Sequence, residues 1–464
     1  MHRLSYTKVR TVTLAVGLGL ALLAGCDENG RYPADLRYPE RTDVLVKDPP
    51  TTDFRTPPAP PGRFEERIKK AAEEKVFPSV DPLGKDDQGK PLITREERAQ
   101  LRAALEEIFG TPAAPSVEPI DPDRAPTKKA DEAKENAKVY AEALAANMQT
   151  FDVKEEDIDV LFVDAETLSK GAGDVRRRTL AKGSELYRRH CLHCHGVAGD
   201  GRGPTGAWVD PHPRDYRQGM FKFLSTNKAQ VGTGKPRKDD LLRTLDKGID
   251  GTSMPAFGLL PRRELEQLAS YVIHLSLRGQ VEYETLYTLV KNRASIPEGD
   301  DGVKRFVYQQ AALLTSQWAL MTKLEVNKPP AYPYGDDSDK EKTAESIRRG
   351  HQLFLNKGIC ITCHYDYGRQ SAYRYDTWGT VVRPRNLTDP SYRGGRRPID
   401  IYWRISGGIP PSGMSKLPDG TTEQETWDLV NFVQALPYPA MLPKDVREKV
   451  YPTPGAKEHA SATR

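Results

Sequence analysis

The chain has 464 residues, of which 29% are charged and 37% hydrophobic, and 69 Lys and Arg stand against 65 Asp and Glu for a net charge of +4. Such a length leaves room for roughly two or three domains, and so polar a chain places much of itself outside any core. The near-neutral balance excludes nucleic-acid binding as the main activity, because a basic stripe would dominate such a protein.

At the N-terminus Arg3, Lys8 and Arg10 precede a mostly apolar run from Val12 to Ala24, shorter than the ~20 residues a bilayer-spanning helix needs. The run ends in Leu23-Ala24-Gly25-Cys26, which resembles a bacterial lipobox. Residues 1–25 are therefore expected to be a lipoprotein signal peptide, and Cys26 to carry the lipid that holds the protein at a membrane surface. An ordinary secretory signal containing a cysteine is the bland alternative. No later stretch is apolar enough to span, so the rest of the chain is expected to lie outside the cytoplasm, facing the periplasm.

Residues 26–171 read as an extension. From 27 to about 62 the chain is rich in proline and charge with no apolar period, which predicts an extended tether. Helices are predicted from Arg63 to Lys75, from Thr94 to Phe109 and from about Lys128 to Met148; Thr94 and Glu97 form a capping box and Gly110 marks the exit of the second. Their apolar stripes are thin, which leaves a flexible spacer and partner-docking helices as equal readings.

The stretch Cys191-Leu192-His193-Cys194-His195 returns as Cys360-Ile361-Thr362-Cys363-His364. Two thiols three positions apart, followed by an imidazole, are what covalent c-type haem attachment requires: the thiols form thioethers to the porphyrin and the histidine ligates iron. One copy could be chance or half of a zinc site, but two copies, each followed by a methionine, are a far stronger signal. These four thiols and Cys26 account for all five cysteines, leaving none for a disulfide.

The first motif sits in a domain predicted over 172–278. Ala181 to Arg189 forms a helical approach, and Arg262 to Leu277 carries Leu265, Leu268, Ala269, Val272 and Leu275 at helical spacing. Between them Gly199, Gly201, Gly203 and Gly206 imply loops of the kind that wrap a flat cofactor. A linker over 279–339 contains one long helix whose face includes Val303, Phe306, Leu314, Trp318, Met321 and Leu324, with Trp318 and Met321 as packing residues; Pro329, Pro330 and Pro333 then break the chain. The second domain, 340–437, repeats the first: Gly183 and Tyr187 precede one motif as Gly350 and Phe354 precede the other. Its closing helix, Glu423 to Leu436, has Leu429 and Phe432 where the first has Leu268 and Tyr271, so the glycines would let first and last helices cross closely in both domains. Residues 438–464 read as a tail.

With these residues the chain resembles the class I cytochrome c family, and within it a membrane-anchored dihaem lipoprotein. The resemblance covers 172–278 and 340–437. It implies a mainly α fold of two small helical domains joined by a helical linker, preceded by the proline-rich, partly helical extension. It also implies two covalently bound haem c groups: Cys191 and Cys194 attach the first and Cys360 and Cys363 the second, with His195 and His364 as proximal iron ligands. Distal ligands carry over to Met254, in Gly251-Thr252-Ser253-Met254-Pro255, and to Met414, in Gly413-Met414-Ser415, where serine replaces the family's proline. Met220 and His212 are rival ligands, His190 and His193 are held on the proximal side by Cys191 and Cys194, and His274 and His351 fall on helices as ordinary surface or packing residues. Arg202, Arg214 and Arg217 in the first domain, and Arg383, Arg385, Arg393, Arg396 and Arg397 in the second, are candidates to pair with haem propionates or to form a basic surface for an acidic partner.

His/Met ligation saturates the iron and raises its potential relative to two histidines, which implies outer-sphere electron transfer rather than catalysis. The expected function is electron transfer at the outer face of a bacterial cytoplasmic membrane, between a respiratory donor and a terminal oxidase or other acceptor. Redox proteins, including subunits of a respiratory complex, are the expected partners. The competing expectations are a dihaem peroxidase-like enzyme and a ligand-binding sensor, both of which need an open iron position, for which the Met414 site is the natural place.

Overall fold

A computed structural model of the protein describes residues 31–46, 79–119, 130–170, 174–226, 234–324, 326, 339–357 and 360–452. The N-terminal leader with Cys26, the helix expected over Arg63 to Lys75 and the prolines at 329, 330 and 333 lie outside these residues. Among the described residues the chain is mainly helical, and no helix is long and apolar enough to cross a membrane.

A short antiparallel pair, β1 (Leu45–Val46) and β2 (Ser79–Val80), precedes α1 (Arg95–Phe109), α2 (Ala130–Phe151), α3 (Glu155–Phe162) and α4 (Ala165–Lys170). The first motif follows on α5 (Val175–His190) and the single turn α6 (Leu192–His195), and its domain continues through α7 (Lys238–Lys247) and α8 (Arg262–Lys291). Helix α9 (Gly302–Lys323) leads to the second unit: α10 (Lys340–Leu355), the turn α11 (Cys360–Cys363), the hairpin β3 (Arg374–Tyr375) and β4 (Val381–Val382), α12 (Pro398–Gly407), α13 (Glu423–Ala435) and α14 (Lys444–Val450).

Helix starts follow their local chemistry. Thr94 accepts from the Glu97 amide at 3.2 Å while the Glu97 carboxylate accepts from the Thr94 amide at 2.7 Å, and Thr422 and Glu425 repeat this arrangement at the start of α13.

Two apolar cores result. The first runs from Tyr38 to Ala319 and the second from Ile347 to Val450. Several expectations need correction here. Residues 31–46 are not a free tether: Tyr32, Tyr38, Arg41, Leu45 and Val46 are buried, and Asp43 bonds Arg217 through both carboxylate oxygens. Pro and charge hid this, because the anchors are isolated aromatics and ion pairs with no apolar period. Helices α1, α2 and α3 are neither spacer nor exposed docking surface, since they pack on α9 and share the first core. The closing helix of the first domain does not stop at Leu277 but continues to Lys291, buried on nearly every side between the cofactor domain and the extension. The linker is packed, with α9 lying on α8 and Trp318 fully enclosed. The tail also begins later than expected, because Leu442, Val446 and Val450 complete the second core.

Candidate cofactor site

The two motifs are positioned by one device used twice. In the first domain α5 crosses α8 at Gly183, where a Cβ would come within 2.3 Å of the Gln267 carbonyl oxygen. In the second, α10 crosses α13 at Gly350, where a Cβ would come within 2.0 Å of the Asp428 carbonyl oxygen. One turn on from each glycine the aromatic rings meet edge to face, Tyr187 on Tyr271 at 5.3 Å and Phe354 on Phe432 at 5.5 Å. Only glycine permits this approach, and it fixes the helix end from which each motif springs.

Both histidines emerge in one orientation. His195 Nδ1 lies 3.2 Å from the Arg214 carbonyl oxygen and His364 Nδ1 lies 3.0 Å from that of Arg385. A carbonyl only accepts, so each Nδ1 carries the proton and each Nε2 keeps its lone pair for a metal. Burial pushes the His195 pKa down to about 4 and lowers that of His364, keeping both imidazoles neutral at physiological pH.

The methionine loops match as closely. Each helix before them, α7 and α12, begins with an N3 aspartate, Asp240 or Asp400, accepting the N-cap amide. Each ends at a glycine with positive φ, Gly248 at 67° and Gly408 at 67°. A Cβ on Gly248 would lie 2.7 Å from the Met254 carbonyl oxygen, and one on Gly408 would lie 2.5 Å from that of Met414. The Ile249 and Ile409 amides donate to those same carbonyls at 3.1 and 2.8 Å. Ser415 in place of proline therefore leaves the loop frame unchanged.

All eight residues open onto a single cavity of about 2230 Å³, well beyond the roughly 300–1,000 Å³ of a drug-sized ligand pocket. Its walls include Leu241, Leu245, Val272, Leu429 and Val433, while ten Lys and Arg line it against the three carboxylates of Asp210, Asp240 and Asp376. The Arg393 Nε is buried without a partner. Apolar walls with an excess of positive charge fit flat, greasy groups that carry carboxylates, which is the chemistry of haem and its propionates. Burial pushes the Cys191 thiol up to about 12 and that of Cys360 up to about 11. Among the described residues no group of three or more Cys, His, Asp and Glu side chains is arranged to hold a metal ion.

The arginine candidates divide. Arg202, Arg214, Arg383, Arg385 and Arg393 line the cavity. Arg217 is instead taken by Asp43 and Asp215, Arg397 bonds Asp400, and Arg396 reaches the Tyr438 hydroxyl. Of the rival ligands, Met220 lies outside the cavity lining beside Gly234, whereas His212 does line it, as do His190 and His193. His274 and His351 are packing residues: they are buried, with Nε2 on the Phe109 carbonyl and the Tyr367 hydroxyl respectively.

Sequence reasoning missed the carbonyls that orient the histidines and the turn from Asp376 to Thr380. A signal for the first existed: a Pro-Arg pair, Pro213-Arg214 and Pro384-Arg385, follows the motif histidine by 19 and 21 positions. Among the described residues of the first domain no strand pair matches β3 and β4, so the turn left no repeat to find.

Residues 178–272 match the family described as "Cytochrome C oxidase, cbb3-type, subunit III". The fold and site thus define a c-type cytochrome domain in this chain, and such a domain implies covalently bound haem c. No curated protein matches the chain. A solved chain of the Kuenenia stuttgartiensis reducing HAO-like protein complex is 21% identical over 55% of this chain and 95% of its own, with a TM-score of 0.37. At that score the likeness carries no argument.

Proposed function

We propose that the protein is a dihaem c-type cytochrome that passes single electrons by outer-sphere transfer, anchored through lipid on Cys26 at the outer face of a bacterial cytoplasmic membrane. The observation that carries this reading is the matched pair of histidines and methionines facing one cavity. When bound, haem c supplies a reversible one-electron couple between ferrous and ferric iron. The chain would hold these groups through Cys191, Cys194, Cys360 and Cys363 for attachment, His195 and His364 with fixed tautomers, and Met254 and Met414 as the further iron ligands. The apolar part of the wall, including Leu241, Leu245, Val272, Leu429 and Val433, would lie against the bound groups and limit rearrangement when their charge changes. The donor is a respiratory complex and the acceptor a terminal oxidase or another periplasmic oxidant.

Absorption and EPR spectra of the oxidised protein, normalised to haem content by pyridine haemochrome, test the reading. Two low-spin haems per chain with Met-to-iron charge transfer are expected. A high-spin haem accompanied by peroxide turnover would replace the carrier with a peroxidase.

A further inference from the structure

The two domains touch through the residues that orient their histidines. The turn between β3 and β4 of the second domain carries Asp376, whose side chain is fully buried, 3.6 Å from the Arg214 guanidinium and 3.3 Å from Lys222 Nζ of the first. Its other carboxylate oxygen accepts from the Trp378 and Thr380 amides at 3.1 and 3.0 Å, so the carboxylate is fixed by its own turn. The Trp378 ring lies flat on Arg214, 3.6 Å from guanidinium carbon to ring centroid. Arg214 is held between a carboxylate and an aromatic face, both supplied by the other domain. Its carbonyl is the acceptor for His195 Nδ1.

The far end of the turn is tied to the second site. Thr377 donates through its amide and hydroxyl to the Pro411 carbonyl at 2.9 and 3.1 Å, inside the loop that delivers Met414. A reverse contact also exists: a Cβ on Gly251, in the Met254 loop, would lie 3.3 Å from Arg385 Nη2, and the Arg385 carbonyl orients His364.

We infer that Asp376 and Trp378 of the second domain are positioning residues for the first haem, holding His195 through Arg214, so that the second domain sets the first haem's potential. This rests on reading the first motif as a haem site, with the second haem's wave as the control where it is present. The sign follows from chemistry. A firm Nδ1–H bond to a carbonyl makes the imidazole a stronger donor and favours ferric iron, and the Asp376 charge offsets Arg214 and Lys222 beside the site. Loosening the clamp or neutralising Asp376 therefore raises the first potential. A unit charge removed at a separation on the order of 10 Å, in an effective dielectric near 20, is in general worth on the order of a tenfold change in the reduction equilibrium, about 59 mV for a one-electron couple.

The experiment is a redox titration of the full-length protein, with the first-haem wave assigned by the large downward move that Met254→His gives it. Asp376→Asn and Trp378→Ala are each expected to raise that wave by roughly threefold to tenfold in the reduction equilibrium and to leave the second wave in place. Trp378→Phe, which keeps an aromatic face on Arg214, restores the original value. In an Arg214→Ala background Trp378→Ala adds nothing further. Movement of the second wave alone, equal movement of both, or no movement overturns the inference. Should Trp378→Ala fail to fold, Asp376→Asn and the Arg214→Ala cycle still decide it. Haem content separates the two claims: one haem per chain would defeat the dihaem reading, while the first-haem wave still tests the clamp.

Discussion

The two motif-bearing domains share a kit of parts and differ in what surrounds it. Each has a glycine crossing, a histidine on a carbonyl, and a methionine loop cradled by a glycine. In the first, α8 is buried on nearly all sides because the extension and α9 sheath it, and buried polar groups such as Gln267, His274 and Glu282 find partners there. In the second, α13 is under half that length and packs mainly on α10 and α12. The shared parts are those that orient the motif histidines and the methionine loops, and the added layer is built from the extension and α9.

The sharpest way to break the comparison is to remove one motif at a time. Cys360→Ala with Cys363→Ala, or the matching pair at Cys191 and Cys194, should each lower haem content from two to one per chain by pyridine haemochrome; a wild-type value of one would end the equivalence. Next come the distal ligands: Met254→Ala and Met414→Ala should each lower one of two midpoint potentials and abolish half of the Met-to-iron band, and a silent Met414→Ala would make the second site the odd one out.

The seam between extension and first domain has a pH signature. Burial pushes His274 down to about 4, so its neutral form is kept in the fold while the unfolded chain takes up a proton near pH 6.5. Stability of the first unit should be full above about pH 6.5 and fall by up to about 3 kcal/mol as pH drops to about 4. Melts across that range should lose this slope in His274→Gln, and an unchanged slope would remove His274 from the account.

Gly183→Ala and Gly350→Ala should each cost about 1–3 kcal/mol through overpacking at the crossing. Calorimetry should show Gly350→Ala lowering only the transition of the second unit, whereas a common shift would mean that the two melt as one. The smallest effects are expected at the caps: Thr94→Ala and Thr422→Ala should cost about 1 kcal/mol each in denaturant titrations, Thr94 acting on the sheath and Thr422 on the bare unit.

Most of what is local or duplicated was legible in the sequence, and what acts between distant segments was not. The motifs, the glycine-aromatic pairs and the helix from Thr94 to Phe109 carry local or duplicated signals. The burial of residues 31–46 depends on Asp43 meeting Arg41, Arg202 and Arg217, and a carboxylate facing three guanidinium groups leaves no periodic trace. The full length of α8 was hidden because a helix packed on both sides has no polar face, which erases the amphipathic period used to find its end. Asp376 and Trp378 act across domains and obey no spacing rule.

The position of Tyr32 has a geometric corollary. Arg31 pairs with Glu185 at 2.9 Å and the Tyr32 ring sits under Arg188, so the chain is already fastened to α5 at that point. Counted from Cys26 to Arg31 there are five steps (31 − 26), and five residues extend at most about 18 Å. A lipid on Cys26 would therefore moor the first haem domain close to the bilayer surface on a short leash. Electron partners would then have to reach that domain close to the membrane plane.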